Sequence, residues 1–226
     1  MSIWTRISDA ISALAAGESL TTVFEKLRTP PERRVGFTIA VIALGAKMAK
    51  ADGLVTRDEV AAFREVFFIP QEDEQSAARV YNLARQDVAG FEDYAARVAG
   101  MFAEAVGTLC DLMEGLFYIA VADGAYHDLE DNFLAEVARI FGLSDRQFKA
   151  VRARFVPDAD PDPWDVLGVD PDTPKEEIRA TWRQLVRESH PDRMMARGVP
   201  EEAIKLSEKR LIAINHAWEA ISEGRA

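Results

Sequence analysis

Lys175-Glu176-Glu177-Ile178-Arg179-Ala180-Thr181-Trp182-Arg183-Gln184-Leu185-Val186-Arg187, with His190-Pro191-Asp192 close behind, is the stretch that decides the fold. Ile178, Trp182 and Leu185 follow helical spacing and can bury one side. Lys175, Arg179, Arg183 and Arg187 recur every fourth residue and make a cationic stripe elsewhere on that helix. Proline has no amide hydrogen and pushes the residue before it out of helical geometry, so Pro191 forces a break at His190. An imidazole and a carboxylate are thereby held on a constrained loop beside a positive helical face. With no nucleophile near it, this arrangement of shape and charge predicts docking onto another protein rather than chemistry.

The flanking residues extend the pattern. Thr173-Pro174-Lys175-Glu176 predicts a helix start, with Thr173 as the cap, Pro174 at the first helical position and Glu176 completing a capping box. Leu211, Ile214, Trp218 and Ile221 form an apolar stripe on a second long helix that begins near Pro200. Two antiparallel helices would bury Leu167, Ile178, Trp182, Leu185, Leu211, Ile214 and Trp218 together. From Asp162 to the C-terminus the chain resembles the J domain of DnaJ-family co-chaperones. Asp162-Pro163-Trp164-Asp165-Val166-Leu167-Gly168-Val169 is similar to that family's opening short helix, and Ile212-Ala213-Ile214-Asn215-His216-Ala217-Trp218-Glu219 to its closing one. The resemblance implies that the Arg179/Arg183/Arg187 face, the His190-Pro191-Asp192 loop and Arg193 bind an ATP-bound Hsp70 (DnaK-type) chaperone. Arg193 stands where the family often has lysine. The chaperone's ATP hydrolysis would be stimulated and a client protein trapped, while the chain itself would be no enzyme and take no cofactor.

The middle of the chain is helical and carries an internal repeat. Ala51-Asp52-Gly53 recurs as Ala122-Asp123-Gly124, and Glu65-Val66 as Glu136-Val137, both at an offset of 71. In each copy an alanine-rich helix (Gly36 to Ala51, then about Thr108 to Ala122) is apolar nearly all round, as a central buried helix should be. Ala40, Ala43, Gly45, Ala46 and Ala49 would let neighbouring helices approach closely. Ala77/Val80/Tyr81/Ala84, Phe91/Tyr94/Val98/Met101/Phe102 and Phe148/Val151/Phe155 mark further amphipathic helices. From about Arg33 to Phe155 the doubled Ala-Asp-Gly junction resembles the TerB-like, or tellurite-resistance TerB, all-helical domain. The two resemblances together match the DjlA type of co-chaperone, whose usual N-terminal transmembrane segment is not seen here, so membrane anchoring is not carried over.

The Asp-Gly junctions also raise a metal question. Asp52, Asp58 and Glu59, or Asp123, Asp128, Glu130 and Asp131 with His127, offer oxygen ligands near a turn, but their spacing is not that of an EF-hand loop. The simpler expectation has Asp52 and Asp123 serving turns while Glu59 and Glu130 cap helix starts. The alternative is a metal-responsive stress protein whose TerB-like domain binds a metal ion through Asp123, Asp128 and Glu130, with the J domain as recruiter.

Composition narrows the partners. The net charge of −11 argues against nucleic acid, which needs a cationic surface to displace counterions. The single cysteine, Cys110, permits no internal disulfide and no cysteine zinc cluster, and its apolar surroundings predict a small buried residue. The run Phe37 to Ala46 is far short of the ~20 apolar residues a membrane-crossing helix needs. Asp9 and Glu18 interrupt the N-terminus, which does not read as a cleaved signal peptide, so a cytoplasmic protein is expected. Ile3, Trp4, Ile7, Ala10, Ile11 and Leu14 make one apolar face. That face is expected to pack on the protein's own helices or on another copy in a homodimer, and it is the one place where membrane contact stays open.

Proline and aspartate alternate from Pro157 to Pro163 and predict an extended, semi-rigid spacer. The expected organisation is all-α: an amphipathic helical segment over 1–32, a TerB-like domain over 33–156, a linker over 157–161 and a J-domain helical hairpin over 162–226. The segments 1–156 and 162–226 are each expected to bury a core of their own and fold alone.

Overall fold

The computed structural model describes residues 33–51, 90–122, 124, 126–156, 161–200 and 205–224, with single positions at 6, 7, 9, 10, 13, 75 and 78. Among the described residues every regular element is an α-helix: α1 (Arg33–Ala51), α2 (Phe91–Met101), α3 (Val106–Ala120), α4 (Asp128–Ile140), α5 (Asp145–Phe155), α6 (Pro163–Leu167), α7 (Lys175–Glu188), α8 (Pro191–Ala196) and α9 (Lys205–Ser222).

The helices α1 to α5 form the larger body. In α1 every residue from Val35 to Met48 is buried, which is what an all-round apolar helix requires, and it packs against α2 and α3. Small residues set that approach. A Cβ on Gly45 would lie 3.3 Å from Ile119 Cδ1, and one on Gly115 3.5 Å from Val41 Cγ2. Beyond α3, Gly124 takes φ 82, the left-handed turn for which glycine is best suited, and the chain re-enters helix at α4. There Glu130 Oε2 accepts the His127 amide at 2.9 Å, so Glu130 caps the helix as the sequence predicts. At the start of α5, Ser144 Oγ accepts the Gln147 amide, while Gln147 Oε1 accepts the Ser144 amide at 2.8 Å. The first Asp-Gly junction, with Asp52, Asp58 and Glu59, lies outside the described residues, as does the Ala77/Val80/Tyr81/Ala84 face. Of the N-terminal apolar face, Ile7 is buried in the core and Ala10 packs against it, whereas Ile3, Trp4, Ile11 and Leu14 lie outside the described residues.

The C-terminal hairpin pairs α7 with α9. Lys175 Nζ donates to the Ser222 carbonyl and Trp182 Nε1 to Asn215 Oδ1, each at 2.9 Å, which makes the two helices antiparallel. The Trp182 and Trp218 rings stack with centroids 5.2 Å apart and 13° between planes. Val166, Leu167, Ile178, Ile214, Ala217 and Ile221 form the buried centre, with Leu185, Leu211 and Trp218 packed on it. The start of α7 differs from expectation. Pro174 is the N-cap and no side chain caps it, because the helix begins one residue later than the Thr173 box assumes. Residues 201–204 lie outside the described set, and α9 is described from Lys205 rather than from Pro200.

Each half has a buried cluster of its own, but the two are joined by residues that cross between them. Met194, Val199 and Leu206, all fully buried, belong to the core of the larger body, and Ala153 of that body packs into the hairpin's core. In addition α6 packs on α5, and α9 on both α3 and α5. The physical reason is that the buried stripe of α9 starts further upstream than Leu211, at Leu206 and Arg210. That upstream turn faces the larger body instead of α7. Residues 157–160, the middle of the expected spacer, lie outside the described residues.

Candidate docking site and the charge cluster beneath it

Proline positions the exposed motif. Helix α7 stops at Glu188, Ser189 Oγ donates to the Leu185 carbonyl at 2.7 Å, and His190 adopts φ −63 and ψ 134. The break falls where Pro191 demands it, but no open loop follows. Pro191 occupies the first turn of α8 and His190 is its N-cap, with Nδ1 accepting the Asp192 amide at 3.2 Å. The His190 side chain is 61% exposed and that of Asp192 80%, with Nδ1 and Asp192 Oδ2 3.7 Å apart. An exposed imidazole and an exposed carboxylate are therefore held by a helix start and not by burial.

Lys175, Arg179, Arg183, Arg187 and Arg193 are all exposed. Lys175 is occupied at the end of α9, which removes it from the working part of the stripe. Arg187 Nη2 donates to the neutral Gln184 Oε1 at 3.1 Å and keeps its charge uncompensated by that contact. Arg187 and Arg193 also line a cavity of about 740 Å³ between the hairpin and the larger body, whose other wall includes Val106, Gly107 and Arg146.

Beneath this surface lies a cluster the sequence reading missed. Asp111 and Glu114 sit on the otherwise apolar α3 and are 0% and 1% exposed. Arg210 of α9 donates to both, through Nε to Glu114 Oε2 at 2.7 Å and through Nη2 to Asp111 Oδ1 at 2.5 Å. Arg197, just past α8, makes a forked contact with Asp111 through Nε and Nη2 at 2.9 to 3.1 Å. Arg154 of α5 approaches Glu114 Oε1 at 3.5 Å and donates from Nε to the Val166 carbonyl at 3.0 Å. Burial pushes the Glu114 carboxyl above its ordinary range against the pull of Arg210 and Arg154. Burial, then Glu114 and Asp111, push the neighbouring Cys110 thiol up to about 11, so this half-buried cysteine stays protonated near neutrality. The legible signal was available: two carboxylates three residues apart in an all-round apolar helix must find buried cations.

Among the metal candidates, Asp128 is exposed, Glu130 is engaged at the start of α4 and Asp123 lies outside the described residues. Among the described residues no group of three metal-ligating side chains occurs, and no helix is long and apolar enough to cross a membrane.

Comparison with known families accounts for both halves. Residues 38–153 match the family model described as tellurite resistance protein TerB, more than half of the chain, and residues 162–225 match the DnaJ domain. The chain belongs to the TerB family and carries a DnaJ domain. Similar proteins include the co-chaperone protein DjlA of Photobacterium profundum, 26% identical over 216 residues, which cover 84% of this chain and 78% of that protein. The DjlA of Vibrio parahaemolyticus is 25% identical over 88% of this chain and 82% of its own length. That of Legionella pneumophila is 41% identical over 58 residues, 26% of this chain and 20% of that protein. No solved structure matches the chain significantly. In these terms the His190-Pro191-Asp192 motif belongs to the DnaJ domain, and Asp111 and Glu114 to the TerB half.

Proposed function

We infer that this protein is a J-domain co-chaperone that docks on an Hsp70 of the DnaK type and stimulates its ATP hydrolysis. The observation that carries the reading is the pair of exposed side chains His190 and Asp192 around the half-buried Pro191 at the start of α8, set directly beyond the exposed Arg179/Arg183/Arg187 face of α7. The arginines and Arg193 meet an acidic patch on the chaperone, and Asp192 accepts charge-assisted hydrogen bonds from a cation of the partner. Stimulation requires that these contacts be stronger in the partner's hydrolysis-competent state than in its resting state, since only differential affinity shifts an equilibrium. In this reading the partner hydrolyses the ATP and the chain is no enzyme. The TerB half binds a client or regulator, and the protein works in the cytoplasm beside its ATP-bound partner.

The test is single-turnover ATP hydrolysis by a DnaK-type chaperone with wild-type chain and with His190→Gln. Because His190 is exposed, the variant should keep the wild-type circular dichroism and lose stimulation. A folded variant that stimulates fully would overturn the assignment.

A further inference from the structure

Arg197 makes contacts that neither half of the protein accounts for alone. Its Nε and Nη2 hold the Asp111 carboxylate of α3, while its Nη1 donates at 3.2 Å to the carbonyl of Glu188, the last residue of α7. Its own carbonyl accepts from Thr108 Oγ1 at 2.9 Å. One residue thus ties both ends of the segment from Glu188 to Arg197 to a single helix of the TerB half. Within that segment Met194 is fully buried in the TerB core, and Val199 just beyond it is likewise buried. His190 and Asp192 lie between these anchors and stay exposed. Space for the clamp depends on Gly107. A Cβ there would lie 3.1 Å from Arg197 Cδ and 3.3 Å from its Nε, and the fork on Asp111 leaves the guanidinium little room to retreat.

We propose that the TerB half positions the His190-Pro191-Asp192 motif for its partner, with Asp111 and Thr108 acting through Arg197 as positioning residues. The proposal rests on the co-chaperone reading and adds that the DnaJ domain's activity depends on its seat on α3. The exposed arginines of α7 capture the chaperone, and the clamp fixes the angle at which the motif meets it. Loss of the clamp should therefore lower the stimulated rate far more than it weakens capture, since of the contacting residues only those from His190 to Arg193 lie in the clamped segment. A ligand of the TerB half that moves α3 would be transmitted to the motif by the same contacts.

The test uses variants of the TerB half in the full chain, so that no DnaJ residue changes. Gly107→Val crowds Arg197 off its seat, and Thr108→Val removes one hydrogen bond with little change of shape. In single-turnover hydrolysis both should lower the maximal stimulated rate, Gly107→Val by about tenfold, because small misplacement of a reacting constellation is costly. The concentration giving half-maximal stimulation should stay within about twofold, since the α7 stripe is untouched. Amide exchange over residues 188–194 should quicken in both. If Gly107→Val fails to fold, Thr108→Val decides. Folded variants with wild-type maximal rate and wild-type exchange overturn the positioning role. If His190→Gln abolishes stimulation under those same conditions, the co-chaperone reading stands while the clamp falls; if His190→Gln stimulates fully, the reading itself is lost.

Discussion

Glu114 shows how a single residue sets the chemistry of the junction. Fully buried, it faces Arg210, Arg154 and Asp111, and burial holds its carboxyl above the ordinary 4.5. The folded state consequently binds this proton more tightly than the unfolded chain does. The stability Glu114 contributes is complete below its unfolded pKa and is lost as pH rises through the higher folded value. Acidification from pH 7 to pH 5 should then leave the denaturant midpoint unchanged or raised as far as this residue is concerned. Urea titrations at the two pH values check it, and a midpoint that falls in the wild type but not in Glu114→Gln would contradict the sign. Two carboxylates in an apolar helix signal a need for buried partners, but the sequence does not say which. What makes them central is that Arg154, Arg197 and Arg210, from three separate segments, arrive at the same place.

At the scale of the element, α7 divides its labour by face. Ile178 is buried in the hairpin core, and the Trp182–Trp218 stack adds about 0.5–1.5 kcal/mol beyond its buried area. The opposite side presents Arg179, Arg183 and Arg187 to solvent. Both faces follow from spacing alone, which is why this helix was the most legible part of the chain. Arg179→Glu combined with Arg183→Glu should weaken binding to the DnaK-type chaperone and leave the helical signal unchanged. Wild-type binding should also weaken as salt rises, because exposed charges are screened over about 8 Å at physiological ionic strength. A titration calorimetry series in salt measures both effects, and affinity indifferent to salt and to reversal would place the interface elsewhere. The helix starts were less legible than the faces. Glu130 caps as expected and Ser144 caps without having been anticipated, but the Thr173 motif does not, since a shift of one residue in the helix start removes its geometry.

For the whole molecule, residues that cross between the two cores and the buried arginine–carboxylate cluster tie the halves together, and are expected to make them unfold as one unit. The tryptophans of the DnaJ domain, Trp164, Trp182 and Trp218, report on that domain, while far-ultraviolet dichroism reports mainly on the larger TerB half. Denaturant curves followed by the two signals should coincide. Arg210→Met leaves Asp111 and Glu114 short of a partner, and should cost about 3–5 kcal/mol and pull the two curves apart. Wild-type curves that already separate would mean that the junction contributes little to stability.

The sequence by itself determined the helical class, the exposed cationic face of α7, the break at Pro191 and the two hydrophobic stripes that define the hairpin. These are properties of spacing, side-chain type and the missing amide of proline, all of them local. Only the tertiary structure decided that helix resumes at Pro191 as α8, that Leu206 and Arg210 face a different body from Ile214, and that Asp111 meets Arg197. Those contacts join residues 86 and 99 positions apart. A charge in an apolar helix announces that it needs a partner, but which distant cation fills that need depends on how two helix faces pack, and no periodicity within either segment encodes it.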